Sequence, residues 1–256
     1  MINVVNLFDS YSRQARLYPA LLSVFSPLIT ILAWFPALIT SSIGATAVLF
    51  ASTCGVLYLL TTVSRAQGKK IEARLLKEWG GWPTTIWLRH SSQYLQPLTL
   101  ERYHRFLRDN VPCLKLPSRE EEEIDPVAAD QGYASAVKWL QERCRGKDFY
   151  LVEKENAEYG FRRNLRGMRT VGILGSFAAA GLSLIAALTK FTSIQDIPPA
   201  IIGAGVVNVI ILVGWLSIVR DTWVREAGDG FARALLANCD SLPQAKVARK
   251  KAKSES

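Results

Sequence analysis

The densest run of reactive side chains is Glu155-Asn156-Ala157-Glu158-Tyr159-Gly160-Phe161-Arg162-Arg163-Asn164, followed closely by Arg166 and Arg169. Guanidinium groups are planar forks that match phosphate oxygens, and a tyrosine ring beside them can stack on a base. Brought together with Arg102, Tyr103, Arg105 and Arg108, the residues Tyr159, Arg162, Arg163 and Arg166 would make an anion, nucleotide or oligonucleotide site. The plainer reading of the same arginines is anchoring at an anionic lipid surface, where each basic residue contributes about 1 kcal/mol.

Other chemistry is sparse. His90 and His104 are the two histidines, and neither lies within a turn of another soft ligand. A zinc site needs three or four ligands at short paired spacings, so packed or solvated imidazoles are expected rather than a metal site shared with Cys113. Cys54, Cys113, Cys144 and Cys239 form no C-x-x-C pair and read as small buried residues in a reducing compartment. Four consecutive carboxylates, Glu120 to Glu123, seldom converge on one cation and read as a solvated acidic face. The chain carries no glycine-rich phosphate loop, serine elbow or H-E-x-x-H. No catalysis, metal or cofactor is therefore expected; a lipid-modifying enzyme using His90 or His104 is the minor reading.

The elements that must position these groups follow from charge patterning. Of 256 residues, 49% are hydrophobic, too many for an ordinary soluble chain, and from Leu17 to Ser64 no residue is charged. That run is twice the ~20 residues that cross a bilayer core. It divides at Thr40-Ser41-Ser42 into spans at Pro19–Thr40 and Ile43–Val63. A second apolar block, Thr170 to Arg220, is interrupted by Lys190 and Asp196 and divides into spans at Val171–Thr189 and Ala200–Val219. Lipid offers no partner to an open backbone, so these are helices. The expectation is a mainly α polytopic membrane protein with two transmembrane helical hairpins, four spans, flanking a mostly helical cytoplasmic domain.

Lys and Arg mark the cytoplasmic side. Arg65, Lys69, Lys70, Arg74 and Lys77 follow the second span, and Arg162 to Arg169 precede the third. Lys246, Arg249, Lys250, Lys251 and Lys253 lie near the C-terminus. This places both termini and residues 65–169 inside, in a bacterial inner membrane. The expected parts are an amphipathic N-terminal helix (1–16), a first transmembrane hairpin (17–64), a cytoplasmic domain (65–169), a second hairpin (170–220) and a basic tail (221–256).

Within the domain, Gly80-Gly81-Trp82-Pro83 ends the helix leaving the second span, and Thr99 caps a helix over Leu100–Arg108 with Tyr103, Phe106 and Leu107 inward. Asp125-Pro126 starts a helix that buries Val127, Tyr133, Val137 and Leu140. Phe149 to Val152 is expected as a brief strand, and the helix from Glu153 is expected to run unbroken into the third span.

The spans carry no ionisable side chain, which removes the usual marker of charge-coupled transport. They carry hydroxyls instead: Ser23, Ser26 and Thr30 share one stripe, and Asn208 is the one amide of the fourth span. Helix packing or pore lining explains these residues. A single four-helix bundle is too narrow to conduct, so a path requires a homo-oligomer, with closure by dewetting.

Two tight hairpins around a domain without catalytic motifs, together with Trp79-Gly80-Gly81-Trp82-Pro83-Thr84-Thr85 and Glu158-Tyr159-Gly160-Phe161-Arg162-Arg163-Asn164, resemble uncharacterised four-span proteins of bacteria. The layout also loosely resembles membrane effectors of anti-phage defence of the Hailong or Kiwa type. That resemblance implies a tetrameric channel, shut until infection and then depolarising the cell; it transfers no site residue. The expected function is a homo-oligomeric channel gated through its cytoplasmic domain, and the alternative is a membrane-anchored adaptor for a cytosolic partner. The orientation is open to direct measurement: reporter fusions at Ser41 and Gln195 should both report the outside, and an internal signal from either contradicts it.

Overall fold

A computed structural model of the chain describes residues 10–40 and 43–243, with the side chains of all of these except 39–53. The described residues form helices and no strand. In chain order the main ones are α1 (Ser10–Trp34), α2 (Ile43–Trp79), α3 (Pro97–Asn110), α4 (Arg119–Ile124), α5 (Pro126–Arg143), α6 (Tyr150–Gly167), α7 (Arg169–Lys190), α8 (Pro199–Ser217) and α9 (Asp221–Leu236). Among the described residues, three helices are long and apolar enough to cross a bilayer: α1, α7 and α8.

The chain divides into two compact units, one of Met1–Arg74 and Ala157–Val224, the other of Leu75–Asn156 and Arg225–Ser256. This division by contacts falls inward of the expected limits at 65 and 169, which mark where the apolar runs end. The reason lies in glycine contacts beneath the apolar helices. A Cβ on Gly167 would stand 2.6 Å from the Gly68 backbone nitrogen, so α2 and α6 touch backbone to backbone there. Residues flanking those glycines belong with the apolar unit.

In that unit α1, α7 and α8 pack on one another. Helix α1 begins by Ser10, so there is no separate N-terminal helix ending at Arg16; residues 1–9 lie outside the described ones. Pro19 has no N–H to offer the carbonyl four residues back, on Ala15. The helix meets this with a π-helical turn over Arg13–Leu17, and the buried Asn164 amide on α6 donates to the Ala15 oxygen at 2.6 Å. Gly160, one turn before Asn164, has no side chain where a Cβ would meet Ala15 at 2.9 Å. Pro27 does not stop the helix either; the Ser23 carbonyl, deprived of its donor, faces Gly175 on α7.

Helix α1 ends at Trp34 rather than Thr40, because Phe35 precedes Pro36 and is pushed out of the helical region, at φ −127° and ψ 63°. Ala37–Thr40 is a separate turn, and the expected hairpin turn at Ser41-Ser42 lies outside the described residues. Helices α7 and α8 agree with the expected third and fourth spans to within two residues. The expected continuity into the third span fails: α6 stops at Gly167, and Met168, at ψ 1°, turns the chain before α7 begins. The Met168 N–H is shared between the Asn164 and Leu165 carbonyls.

The second unit is built on Leu88, Leu107, Tyr133, Leu140, Leu235 and Leu236, all almost wholly buried. Helix α2 closes at Gly80-Gly81 with paired bonds from Gly81 N–H to Leu76 O and from Gly80 N–H to Lys77 O, the glycine-dependent helix stop. Helix α3 starts at Pro97, two residues before the expected cap at Thr99. Asp125 caps α5 as expected, its Oδ1 accepting from Val127 and Ala128 N–H. Val127, however, is 71% exposed. The buried face runs through Ala129, Tyr133, Ala136, Val137 and Leu140, a helical phase that excludes position 127.

The expected strand at Phe149–Val152 is helical: a 3-10 turn at Lys147–Phe149 leads into α6, and Glu153 accepts from the Gly146 N–H at 2.8 Å. The segment expected as a basic tail splits. Helix α9 contributes Ala232, Leu235 and Leu236 to this core, whereas residues 244–256 lie outside the described ones.

The packing of α7 on α8 generates a graded prediction. A Cβ on Gly172 would sit inside the contact distance of the buried Trp215 ring, whereas one on Gly203 meets nothing within 4 Å. Gly172→Ala should lower unfolding stability in detergent by ~1–3 kcal/mol, as overpacking does, and Gly203→Ala should leave it unchanged. Equal effects in a denaturant titration would contradict this packing.

Candidate functional site

The two histidines, far from metal-ligand spacing in sequence, come together in the second unit, their ring centroids 4.8 Å apart and nearly perpendicular. His104 lies on α3 and is buried; Tyr133 of α5 stacks against it at 5.6 Å. Its Nε2 donates to the Leu88 carbonyl at 2.7 Å. His90 lies in the segment between the Pro83–Ile86 turn and α3, and its Nε2 donates to the Pro117 carbonyl at 3.1 Å. A carbonyl only accepts, so Nε2 carries a proton in both rings.

Beneath the pair lies Glu122, expected in a solvated acidic face and found almost wholly buried. Ser118 and Glu121 form a reciprocal cap at the start of α4, which turns Glu122 inward. The Glu122 carboxylate accepts from His90 N–H (2.8 Å), Ser91 N–H (3.0 Å), Ser91 Oγ (2.8 Å) and Tyr133 OH (2.7 Å). Burial pushes the Glu122 carboxyl up, but the hydrogen bonds from Tyr133, His90 and Ser91 outweigh it and leave its pKa below the ordinary value. Burial, then the carboxylate beside it, pushes the Tyr133 hydroxyl up. Burial holds His104 below the ordinary imidazole value, against the Leu88 carbonyl and with the help of His90 and Arg108. Arg89 braces the same segment with a two-pronged bond to Asp130 and a bond to Gly80 O, and Asp130 raises its pKa.

A cleft of about 310 Å³ opens beside this cluster, lined by His90, Ser92, Glu101, His104, Arg108 and Arg119. Leu95, Pro97 and Leu100 form its apolar side. Leu100, His104 and Arg108 follow one another at four-residue steps on α3, so one helix face supplies a wall, an imidazole and a guanidinium.

The remaining expected site residues are engaged elsewhere. Arg102 grips Asp240 with both prongs at 2.6 and 2.9 Å, and Arg105 pairs with Glu101 at 3.0 Å. Tyr103 is buried in the core. Arg162, Arg163, Arg166 and Tyr159 belong to the apolar unit. There Arg163 (2.6 Å) and the Tyr159 hydroxyl (3.0 Å) share Glu72, and Arg162 pairs with Glu158 at 2.7 Å while lying over the Trp223 ring. Arg166 and Arg74 flank Asp221, at 2.8 and 2.9 Å. These two cations, against the cost of burial, hold the Asp221 carboxyl below its ordinary value. This belt occupies the guanidinium forks with the protein's own acids.

Ser23, Ser26, Thr30 and Asn208 face neighbouring helices within the chain. Ser26 and Ser176 hydroxyls bond at 2.9 Å, Asn208 Nδ2 donates to Thr30 Oγ1 at 2.7 Å, Thr30 donates to Ser26 O, and Ser23 to Ala20 O. Trp34 Nε1 donates to Ser183. Cys144 and Cys239 are buried, with burial pushing their thiols up to about 11 and about 12, whereas Cys54 and Cys113 are exposed. Cys113 sits in a loop at φ 56°. No cluster of three metal-ligating side chains occurs among the described residues. Comparison of the chain with protein-family models, characterised proteins and solved structures finds no match.

The Glu122 cluster makes a signed prediction. A carboxyl whose folded pKa is depressed contributes stability above its ordinary pKa and loses it as pH falls through the folded value. Glu122→Gln should therefore cost ~1–3 kcal/mol at neutral pH, since an amide N–H₂ meets donors. Denaturant unfolding across pH should show the gap closing below the carboxylate range; a gap constant down to strong acid would contradict an ionised Glu122.

Proposed function

We propose that the chain is a four-span protein of a bacterial inner membrane, assembled as a homo-oligomeric channel or pore and gated through its extramembrane unit. One observation carries this reading. The chain passes between its two compact units at Arg74/Leu75, Asn156/Ala157 and Val224/Arg225, and each passage lies inside a helix, α2, α6 and α9 respectively. A helix passes on a shift or rotation that a loop would absorb, so a ligand or partner on one unit can bias the other.

In this proposal the apolar half of α2, Ile43–Val63, supplies the fourth span. The basic residues from Arg65 onward set both termini and residues 75–156 on the cytoplasmic side. Because Ser23, Ser26, Thr30 and Asn208 are bonded within the chain, the conducting path runs between copies, along faces of α1, α7 and α8 that the single chain leaves open. The resemblance to anti-phage effectors would make the assembly a tetramer that depolarises an infected cell.

A membrane-anchored adaptor is the second reading, favoured by Leu98, Ile124 and Val127, which stand 78%, 84% and 71% exposed on the extramembrane unit. A groove lined by Leu116, Pro117, Ile124 and Ala128 lies beside two of them.

Planar-bilayer recording of the reconstituted oligomer separates the two. The channel reading expects unitary conductance steps, which a Gly-Pro replacement at Lys69-Lys70, inside α2, should uncouple from the extramembrane unit. A silent oligomer, together with full biological activity after the spans are exchanged for an unrelated anchor, selects the adaptor.

A further inference from the structure

We propose that the cleft beside the histidine pair is a binding site for a phosphate monoester, held by Arg108 and Arg119 and by the imidazoles of His90 and His104. The inference names a ligand for the gating reading above and rests on it only for the consequence of binding, not for binding itself.

Charge comes first. Nearly every arginine discussed so far is neutralised by an acid of the chain, but Arg108 has no acid partner among the described residues. The one bond of Arg119 there is a long one, 3.5 Å to the His90 carbonyl. Glu101, the acid on the rim, is taken by Arg105. Two unneutralised guanidiniums thus line one cleft, and guanidiniums are the side chains best shaped for phosphate oxygens.

The imidazoles add selectivity. Each has its Nε2–H committed to a carbonyl, which leaves Nδ1 to meet a ligand; in the neutral His104 ring that nitrogen is a lone-pair acceptor. Burial keeps His104 in that neutral state. A phosphate monoester, with its second pKa near ~6, still carries a P–O–H in part at neutral pH and can donate it; a diester or sulfate cannot. The cleft's size, about 310 Å³, lies at the lower end of small-molecule sites and suits a phosphorylated group with a small apolar portion against Leu95, Pro97 and Leu100.

A monoester comes from one of two sources, a soluble phosphorylated molecule or the headgroup of phosphatidic acid. The test is calorimetric titration of the full chain in phosphatidylcholine nanodiscs with phenyl phosphate. A parallel arm measures competition of phenyl phosphate in nanodiscs doped with phosphatidic acid. Saturable binding of phenyl phosphate assigns a soluble source. Binding detected only as a phosphatidic-acid preference, absent with phosphatidylglycerol, assigns a headgroup. Either outcome supports the site if Arg108→Gln and Arg119→Gln each weaken it about tenfold or more, the worth of a charge-assisted bond, while Arg108→Lys, which keeps the charge and loses the fork, weakens it less than Arg108→Gln. Arg145→Gln, on another surface, should leave it unchanged. Both arginines are exposed, and an unaltered melting temperature without probe confirms the folds of the variants. No binding to either probe, equal binding of phenyl sulfate, or affinity unmoved in the double glutamine variant overturns the site. Binding without conductance sinks the gating reading alone, and conductance without binding sinks this inference alone.

Discussion

A proline inside an apolar helix leaves a carbonyl without a donor, and apolar surroundings supply none. In this chain Pro19 does so to Ala15, and the Asn164 amide satisfies the oxygen from a different helix. Much of the apolar unit is arranged around that bond. Gly160 lets α1 come close enough to Asn164, Gly68 makes room for the Asn164 side chain against α2, and Gly167 lets α2 and α6 touch. A single amide therefore ties together three helices that sequence separation keeps apart.

Around that bond the arginines form a second layer of constraint. Arg163 and Tyr159 converge on Glu72, and Arg74 and Arg166 on Asp221, so α2, α6 and the start of α9 are tied by partly buried ion pairs. Such pairs are worth less as stabilisers than as specifiers of register, because burial charges a desolvation cost against the attraction. The same residues that look in sequence like an anion site are thereby directed at the protein's own carboxylates. The second unit follows the opposite rule: its deeply buried carboxylate among the described residues, Glu122, is satisfied by four neutral donors rather than by a cation.

What could be read from the chain beforehand was whatever depends on local pattern. The limits of α7 and α8 follow from uncharged runs, and the stop at Gly80-Gly81 and the start at Asp125-Pro126 follow from backbone chemistry of single residues. Pattern and structure part where one local signal outweighs another. Phe35-Pro36 already announces the end of α1, and Ser118-Arg119-Glu120-Glu121 carries the capping signature that orients Glu122. Val127 is apolar but out of phase with the buried face of α5, and phase decides its exposure. The histidine pair had no local sign at all: fourteen positions separate His90 from His104. Their approach depends on how α3, α4 and α5 pack. The four-residue spacing of Leu100, His104 and Arg108 is the local feature that puts three cleft-lining residues on one helix face.

Neither compact unit is continuous in the chain, and this has a bearing on biogenesis. The core around Leu88 and Tyr133 needs Ala232, Leu235 and Leu236, which leave the ribosome only after α7 and α8 have been translated. That core thus closes last, after the apolar helices α1, α7 and α8 have emerged. A nascent chain that stalled before α9 would lack the three side chains that complete this core and would leave its apolar face uncovered.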